Sequence, residues 1–254
     1  MVDHEKQTLL ITGGTGKIGA IFVEHFARKG STVIVAARNP VLPAPEITCA
    51  DDSAKQGKIQ TVAVDLQQPD ACGKVCNFLD EHDLRPTVLV NNARDVAALK
   101  LTDLGLAARE DWLAEYLLDV VVPYELAMAL ARQKASRLVG IVNISSMYGV
   151  VAPNPELYEN PLEDSPIQYS VAKAALIHLT RELSVRLAAQ GIRVNAISYG
   201  GIEGRVSEQF KARYARLCPM GRMLTDEDIA GALEFLVSDA SRGMTGHNQI
   251  GRAS

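Results

Sequence analysis

A glycine turn set between a short apolar strand and a helix constrains this chain more than any other feature. Thr8–Thr12 reads as the strand, and Thr12-Gly13-Gly14-Thr15-Gly16-Lys17-Ile18-Gly19 follows it directly. Gly13 permits a tight turn, Gly16 lets backbone approach a pyrophosphate, and Gly19 lets helix and strand pack closely. The helix that opens there offers unpaired N–H groups and a partial positive charge to phosphate oxygens. A bare glycine pattern is a weak signal. The strand before it and the helix after it make a dinucleotide-binding turn the expected reading.

The rest of the chain repeats that alternation. Strands are expected at Thr8–Thr12, Thr32–Ala37, Ile59–Val64, Thr87–Asn91, Leu138–Ile144 and Arg193–Ile197. Helices are expected near Ile18–Lys29, Asp70–His82, Arg109–Lys134, Gln168–Gln190 and Asp226–Ser238. The strands are almost continuously apolar, as when helices cover both faces of a parallel sheet. The fold class is therefore α/β, a Rossmann-type doubly wound parallel sheet. Neither a Gly/Ser linker nor a composition break divides the 254 residues, so a single domain is expected over 1–254. Asn39–Ala50 and Pro153–Pro166, with three and four prolines, read as loops.

Composition narrows the function classes. Lys and Arg number 26 against 30 Asp and Glu, a net charge of −4, which speaks against nucleic-acid or anionic-membrane binding. Cys49, Cys72, Cys76 and Cys218 lack zinc or CxxC spacing, and the five histidines are scattered, so no metal is expected. No signal-type apolar segment and no 18-residue apolar run is present, which leads to the expectation of a soluble, cytoplasmic protein.

The end of the second strand selects between dinucleotides. An acid there would bind a ribose 2′-hydroxyl, but this chain reads Val35-Ala36-Ala37-Arg38-Asn39. Arg38 can hold a 2′-phosphate in a charge-assisted fork, so NADP(H) is expected over NAD(H). On the helix at 168–190, Tyr169 and Lys173 lie four apart and project from one face. A free phenol has a pKa near ~10, and an adjacent ammonium favours the phenolate, bringing proton exchange toward neutral pH. Ser146 closes the run Ile141–Ser146, and Asn91-Asn92-Ala93 ends another strand, both at the carboxyl edge where open α/β sheets bind ligands.

Taken in order, TGGTGKIG, Asp65, NNA, ISS, YxxxK and Arg193-Val194-Asn195-Ala196-Ile197 resemble the single-domain short-chain dehydrogenases/reductases over nearly the whole chain. The resemblance implies carbonyl–alcohol interconversion by hydride transfer. Ser146 would hydrogen-bond the substrate carbonyl, Tyr169 would exchange the proton, and Lys173 would favour the phenolate and hold the nicotinamide ribose. Ser146 is chosen over Ser145 for its place before Met147-Tyr148-Gly149. The cofactor would lie on Gly13, Thr15, Gly16, Lys17, Ile18 and Gly19, with Arg38 at the ribose. Asp65 and Leu66 would meet the adenine, Asn92 and Ala93 the adjoining stretch, and Gly200 and Ile202 the carboxamide.

Several positions depart from the family pattern. Arg94 replaces the glycine after NNA, and Asp119 stands where the family has an Asn that holds a relay water. Tyr199 replaces a proline, and the chain ends without the family's terminal Val-Asp-Gly-Gly. Ser146 and Tyr169 are 23 residues apart, about twice the family's spacing, so an inserted loop near 150–166 falls beside the reacting carbonyl. Its Asn154, Glu156, Tyr158, Glu159 and Asn160 suit a hydroxylated ligand. The resemblance makes 203–222 a substrate lid; it carries Arg205, Lys211, Arg213, Arg216 and Arg222 against two acids, which fits an anionic sugar or a nucleotide sugar. The inserted loop and the stretch from Tyr148-Gly149-Val150-Val151-Ala152-Pro153 to Tyr169 also resemble reductases of bacterial flagellin and surface-glycan modification. Two alternatives stand beside it: a 3-oxoacyl-type reductase, and a cofactor-binding scaffold or sensor with little turnover. Helices near 111–132 and 168–190 are apolar on more than one face, and in relatives they form a dimer contact, so a homo-oligomer is expected.

Overall fold

The computed structural model describes residues 7–41, 57–204 and 206–251. Most of the expected loop Asn39–Ala50, with Cys49 in it, lies outside the described residues, as do Arg205 and the last three residues of the chain. Among the described residues, seven strands form one wholly parallel sheet: β1 Thr8–Thr12, β2 Thr32–Ala37, β3 Ile59–Ala63, β4 Val88–Asn91, β5 Gly140–Ser146, β6 Arg193–Tyr199 and β7 Asn248–Gly251. Their order is β3-β2-β1-β4-β5-β6-β7. The helices are α1 Lys17–Arg28, α2 Ala71–Glu81, α3 Arg109–Tyr116, α4 Val122–Arg132, the single turn α5 Pro161–Asp164, α6 Ile167–Leu187, α7 Glu208–Leu217 and α8 Ala230–Val237. This is the expected doubly wound α/β fold.

Period-2 alternation along the strands divides the core into two layers. Leu9, Ile11, Val33 and Val35 face Phe22 and Phe26 of α1 and Leu233 and Leu236 of α8. Leu10, Ile34 and Ala36 face the other way, onto Val75 and Leu79 of α2, Leu126 and Leu130 of α4 and Leu183 of α6. With both faces covered, each buried aliphatic or aromatic side chain contributes about 1.5–3 kcal/mol. The connection order reverses between β1 and β4, and that switch point opens a crevice at the carboxyl ends of the strands.

Four differences from expectation have physical causes. β5 and β6 run two residues further than their apolar runs, because Ser145 and Ser146 pair in register with Ser198 and Tyr199. The polar four-residue β7 carries no strand signal of its own and is held by its ladder to β6. The helix expected over 109–134 contains a π turn at Leu117–Val121. Pro123, next in line, has no N–H to donate to the Asp119 carbonyl, so the helical ladder resets there before α4. The Pro153–Pro166 segment is not a plain loop, since it folds into a 3₁₀ turn at Pro155–Leu157 and the single turn α5.

Candidate active site

The glycine turn is built as its residues require. Gly13 sits at φ +64°, and a Cβ there would also come within 2.7 Å of the Ala93 backbone. At Gly19 a Cβ would stand 2.3 Å from the Gly13 carbonyl oxygen, so helix and turn touch. Thr12 fastens this turn to the end of β4: its Oγ1 accepts from the N–H groups of Asn92 (2.9 Å) and Ala93 (3.0 Å). The Asn92 amide donates to the carbonyls of Thr12 and Gly13, both at 3.1 Å. Asn92 thus holds the turn's shape through its side chain.

A cavity of about 400 Å³ opens over this turn. Gly13, Thr15, Gly16, Lys17, Ile18, Arg38, Asp65, Leu66, Asn92 and Ala93 line it, ten of the expected cofactor positions in one place. Gly16 caps α1 without any side-chain bond, which leaves the first-turn N–H groups of the helix to whatever fills the cavity. The shape and the donors fit a dinucleotide, with its pyrophosphate at the helix N-terminus. Asp65 braces its own turn, accepting from Gln67 N and Gln68 Nε2. The Lys17 ammonium turns toward Asp226, 3.5 Å away.

Gly200 and Ile202 are not brought to that cavity. The Gly200 N–H extends the β6–β7 ladder to Gly251, and Ile202 bridges to Leu224. Tyr199 points into the core, 4% exposed, with its hydroxyl on the Ile229 carbonyl, and burial pushes its phenol well above the usual range. Its ring therefore shapes the core under α8 instead of the crevice.

Arg38 meets a carboxylate after all. No acid follows it in sequence, but Asp95, from the segment after β4, lies 3.3 Å from the guanidinium. Burial works to raise the Asp95 carboxyl; the Ala97 N–H and the Arg38 charge, with Gln67, outweigh it and hold it below the usual range. That contact spans 57 residues, and local spacing gave no sign of it.

At the other end of the crevice α6 crosses the end of β5. Lys173 is 4% exposed, and its ammonium donates to Asp119 Oδ1 at 2.7 Å and to the Ile144 carbonyl at 3.0 Å. Asp119, at the position of the family's water-holding Asn, touches the ammonium directly. Burial pushes the Asp119 carboxyl up, and Lys173 and Arg94 pull it partly back. The Lys173 ammonium lies 5.7 Å from the centre of the Tyr169 ring. Arg94 lies over the same ring at 4.6 Å, so two cations flank one phenol. Ser146, 7% exposed, accepts from the Tyr148 N–H. Behind these groups Asn91, Asn143 and Thr180 form a buried hydrogen-bonded chain that ties β4, β5 and α6 together.

The segments expected as inserted loop and lid pack on each other. Tyr158 donates to the Tyr148 hydroxyl at 2.7 Å, and its ring meets Phe210 of α7 edge-on at 5.6 Å. Burial, then Tyr158, pushes the Tyr148 phenol far up. Burial likewise raises Tyr158. The cationic surplus of the lid is smaller than its sequence count, because Arg222 pairs with Asp228, beyond the 203–222 segment over which the charges were summed. Glu115, one helical turn before Asp119, is buried and was not singled out by sequence; the four-residue spacing of the two acids was the available signal.

A family model described as enoyl-(acyl carrier protein) reductase matches residues 15–250. This chain belongs to the short-chain dehydrogenase/reductase family. The enzyme is thus an oxidoreductase of that family. It is 31% identical over 251 residues to galactitol 2-dehydrogenase of Rhizobium johnstonii, covering 93% of this chain and 90% of that one. It is 30% identical to the 3-oxoacyl-[acyl-carrier-protein] reductase FabG of Thermotoga maritima, covering 95% and 94%. Post-translational flagellin modification protein A of Campylobacter coli is 42% identical, but over 110 residues, 43% of each chain. Among solved structures, a short chain dehydrogenase from Leptospira borgpetersenii with bound NAD+ superposes with a TM-score of 0.81 at 27% identity, covering 97% of this enzyme and 91% of that one. Among the described residues no helix is long and apolar enough to cross a membrane.

Proposed function

We propose that this enzyme interconverts a carbonyl and a secondary alcohol on a polar, hydroxylated substrate such as a sugar or nucleotide sugar, with NADP(H) as cofactor. The observation that carries the reading is the Tyr169 phenol flanked by the Lys173 and Arg94 cations beside the crevice. Held between these two cations, Tyr169 can give its proton to a carbonyl oxygen or take one from an alcohol. A bound dihydronicotinamide supplies the hydride for the carbonyl carbon. Ser146, fixed at the end of β5, donates to the same oxygen and orients it. Lys173 and its partner Asp119 keep the positive charge in place beneath the phenol.

The pyrophosphate is assigned to the turn Gly13–Gly19, the adenine to Asp65 and Leu66, the adjoining stretch to Asn92 and Ala93, and the 2′-phosphate to Arg38. Gly200 and Ile202 are assigned to the carboxamide only if β6 and the segment after it shift toward the crevice when cofactor binds. The polar groups of the 150–166 loop, packed against α7, favour a hydroxylated ligand over an alkyl chain. The galactitol relative supports the same class. Flagellin or surface-glycan modification is the setting we assign, with the lid at 203–222 closing over the substrate. The apolar side chains Leu113, Tyr116, Tyr124, Val171 and Val185, exposed on α3, α4 and α6, support a homodimer through these helices. The free thiols of Cys72, Cys76 and Cys218 fit a reducing, cytoplasmic compartment.

Two measurements test this reading. In a panel of keto-sugars, nucleotide-linked keto-sugars and 3-oxoacyl thioesters, NADPH oxidation is expected to be fastest with a sugar. Faster turnover of thioesters would transfer the enzyme to the acyl-reductase reading, and no turnover with any of them would leave the scaffold reading. For the cofactor, Arg38→Ala removes a charge-assisted bond of about 1.5–3 kcal/mol, so kcat/KM for NADPH should fall roughly 10- to 100-fold with little change for NADH. Equal losses with both cofactors, or a wild-type preference for NADH, would defeat the assignment of Arg38.

A further inference from the structure

Glu115 at the end of α3 and Asp119 in the π turn lie four residues apart, 2% and 3% exposed. Each carries a buried oxygen without a hydrogen-bond partner, Oε2 of Glu115 and Oδ2 of Asp119. A buried carboxylate with an unpaired oxygen is costly, and two ionised acids one helical turn apart repel. A proton on one of them relieves both penalties. Asp119 touches the Lys173 ammonium at 2.7 Å and is the acid best placed to stay ionised. The charged groups that bear on Glu115 come from three elements: Asp119 on its own helix, Lys173 on α6, and Arg94 and Asp95 after β4.

We infer that Glu115 is a positioning residue that acts by holding a proton and so sets the net charge around the Tyr169 phenol. The inference rests on Tyr169 being the proton-exchanging group. Arg94 and Lys173 bring two positive charges to the Tyr169 ring, and Asp119 cancels one; Asp95 is matched by Arg38. With Glu115 neutral, one positive charge is left over beside the Tyr169 ring. With Glu115 ionised, that surplus vanishes. Burial, then the Asp119 charge, pushes the Glu115 carboxyl up to about 7 against the pull of Lys173 and Arg94. The charge that the proton-exchanging group meets therefore changes as Glu115 ionises, and alcohol oxidation gains less from rising pH than it would with Glu115 held neutral.

Infrared difference spectroscopy of the cofactor-free full chain, recorded at about one pH unit on each side of neutrality, tests the proton directly. A protonated-carboxyl stretch is expected on the acid side, lost on the alkaline side, and missing throughout in Glu115→Gln. Lack of the band in the wild type overturns the inference, and so does its survival in Glu115→Gln, which would give the proton to Asp119. In the pH profile of alcohol oxidation, Glu115→Gln is expected to move the ascending limb to lower pH, with activity on that limb raised roughly three- to tenfold. An unmoved limb overturns the inference even if thermal stability changes. The infrared result involves neither substrate nor Tyr169, so it stands or falls apart from the proposed reaction.

Discussion

Tyr169→Phe is expected to lower turnover by roughly 10²- to 10⁴-fold, the ordinary share of one positioned acid–base group. The substitution removes one oxygen and keeps the ring. Arg94, 4.6 Å above that ring, can stack on phenylalanine as it does on tyrosine. Neither the glycine turn nor the Asn91–Asn143–Thr180 chain uses the hydroxyl, so folding stability should change by about 0.5 kcal/mol or less. Cofactor affinity, measured by fluorescence titration with NADPH, should stay near the wild-type value, because the ten expected positions that line the cavity are untouched. A drop confined to kcat with binding retained places the loss in the chemical step. Oxidation of NADPH at wild-type speed in this variant would remove the phenol from the reaction.

The features legible in the sequence are those set by neighbours along the chain. β1, β2, β4, β5 and β6 could be read because both faces of each are buried, which turns alternation into continuous apolar runs, whereas edge strand β3 leaves Thr61 and Ala63 exposed. The glycine turn could be read because φ +64° at Gly13 and the close approach at Gly19 admit little else. What escaped is held by partners far away in sequence. β7 is a strand through its ladder to β6, Arg38 meets Asp95 across 57 residues, and Lys173 meets Asp119 across 54. The count of lid cations misled for a different reason: Arg222 is matched by Asp228, six residues on and outside the segment over which the charges were summed. Arg94 could be seen as a departure, but its place over the Tyr169 ring depends on how α6 packs across β5.

Lys173→Met separates the two jobs of the ammonium. The lysine side chain is 6% exposed, and its removal leaves the Asp119 carboxylate buried without a counter-charge. Breaking a buried pair from one side costs about 3–5 kcal/mol, enough to threaten a domain of ordinary stability. The loss should depend on pH with a definite sign. Burial already raises the Asp119 carboxyl, and deleting Lys173 raises it further, so the folded variant binds a proton that the unfolded chain releases. Below the ordinary carboxylate range both states are protonated and the penalty is smallest. The penalty grows as pH rises toward the elevated folded value and is complete above it. Denaturant melts at acidic and neutral pH should therefore show a variant closer to wild type in acid. Adding Asp119→Leu removes the stranded charge and should restore most of the stability, since apolar pairs replace buried ion pairs at little cost. That double variant, folded but lacking the cation beneath the phenol, is expected to remain as slow as Tyr169→Phe. Recovery of turnover along with stability would mean that the ammonium serves only to neutralise Asp119, and proton exchange at Tyr169 would then depend on Arg94 alone.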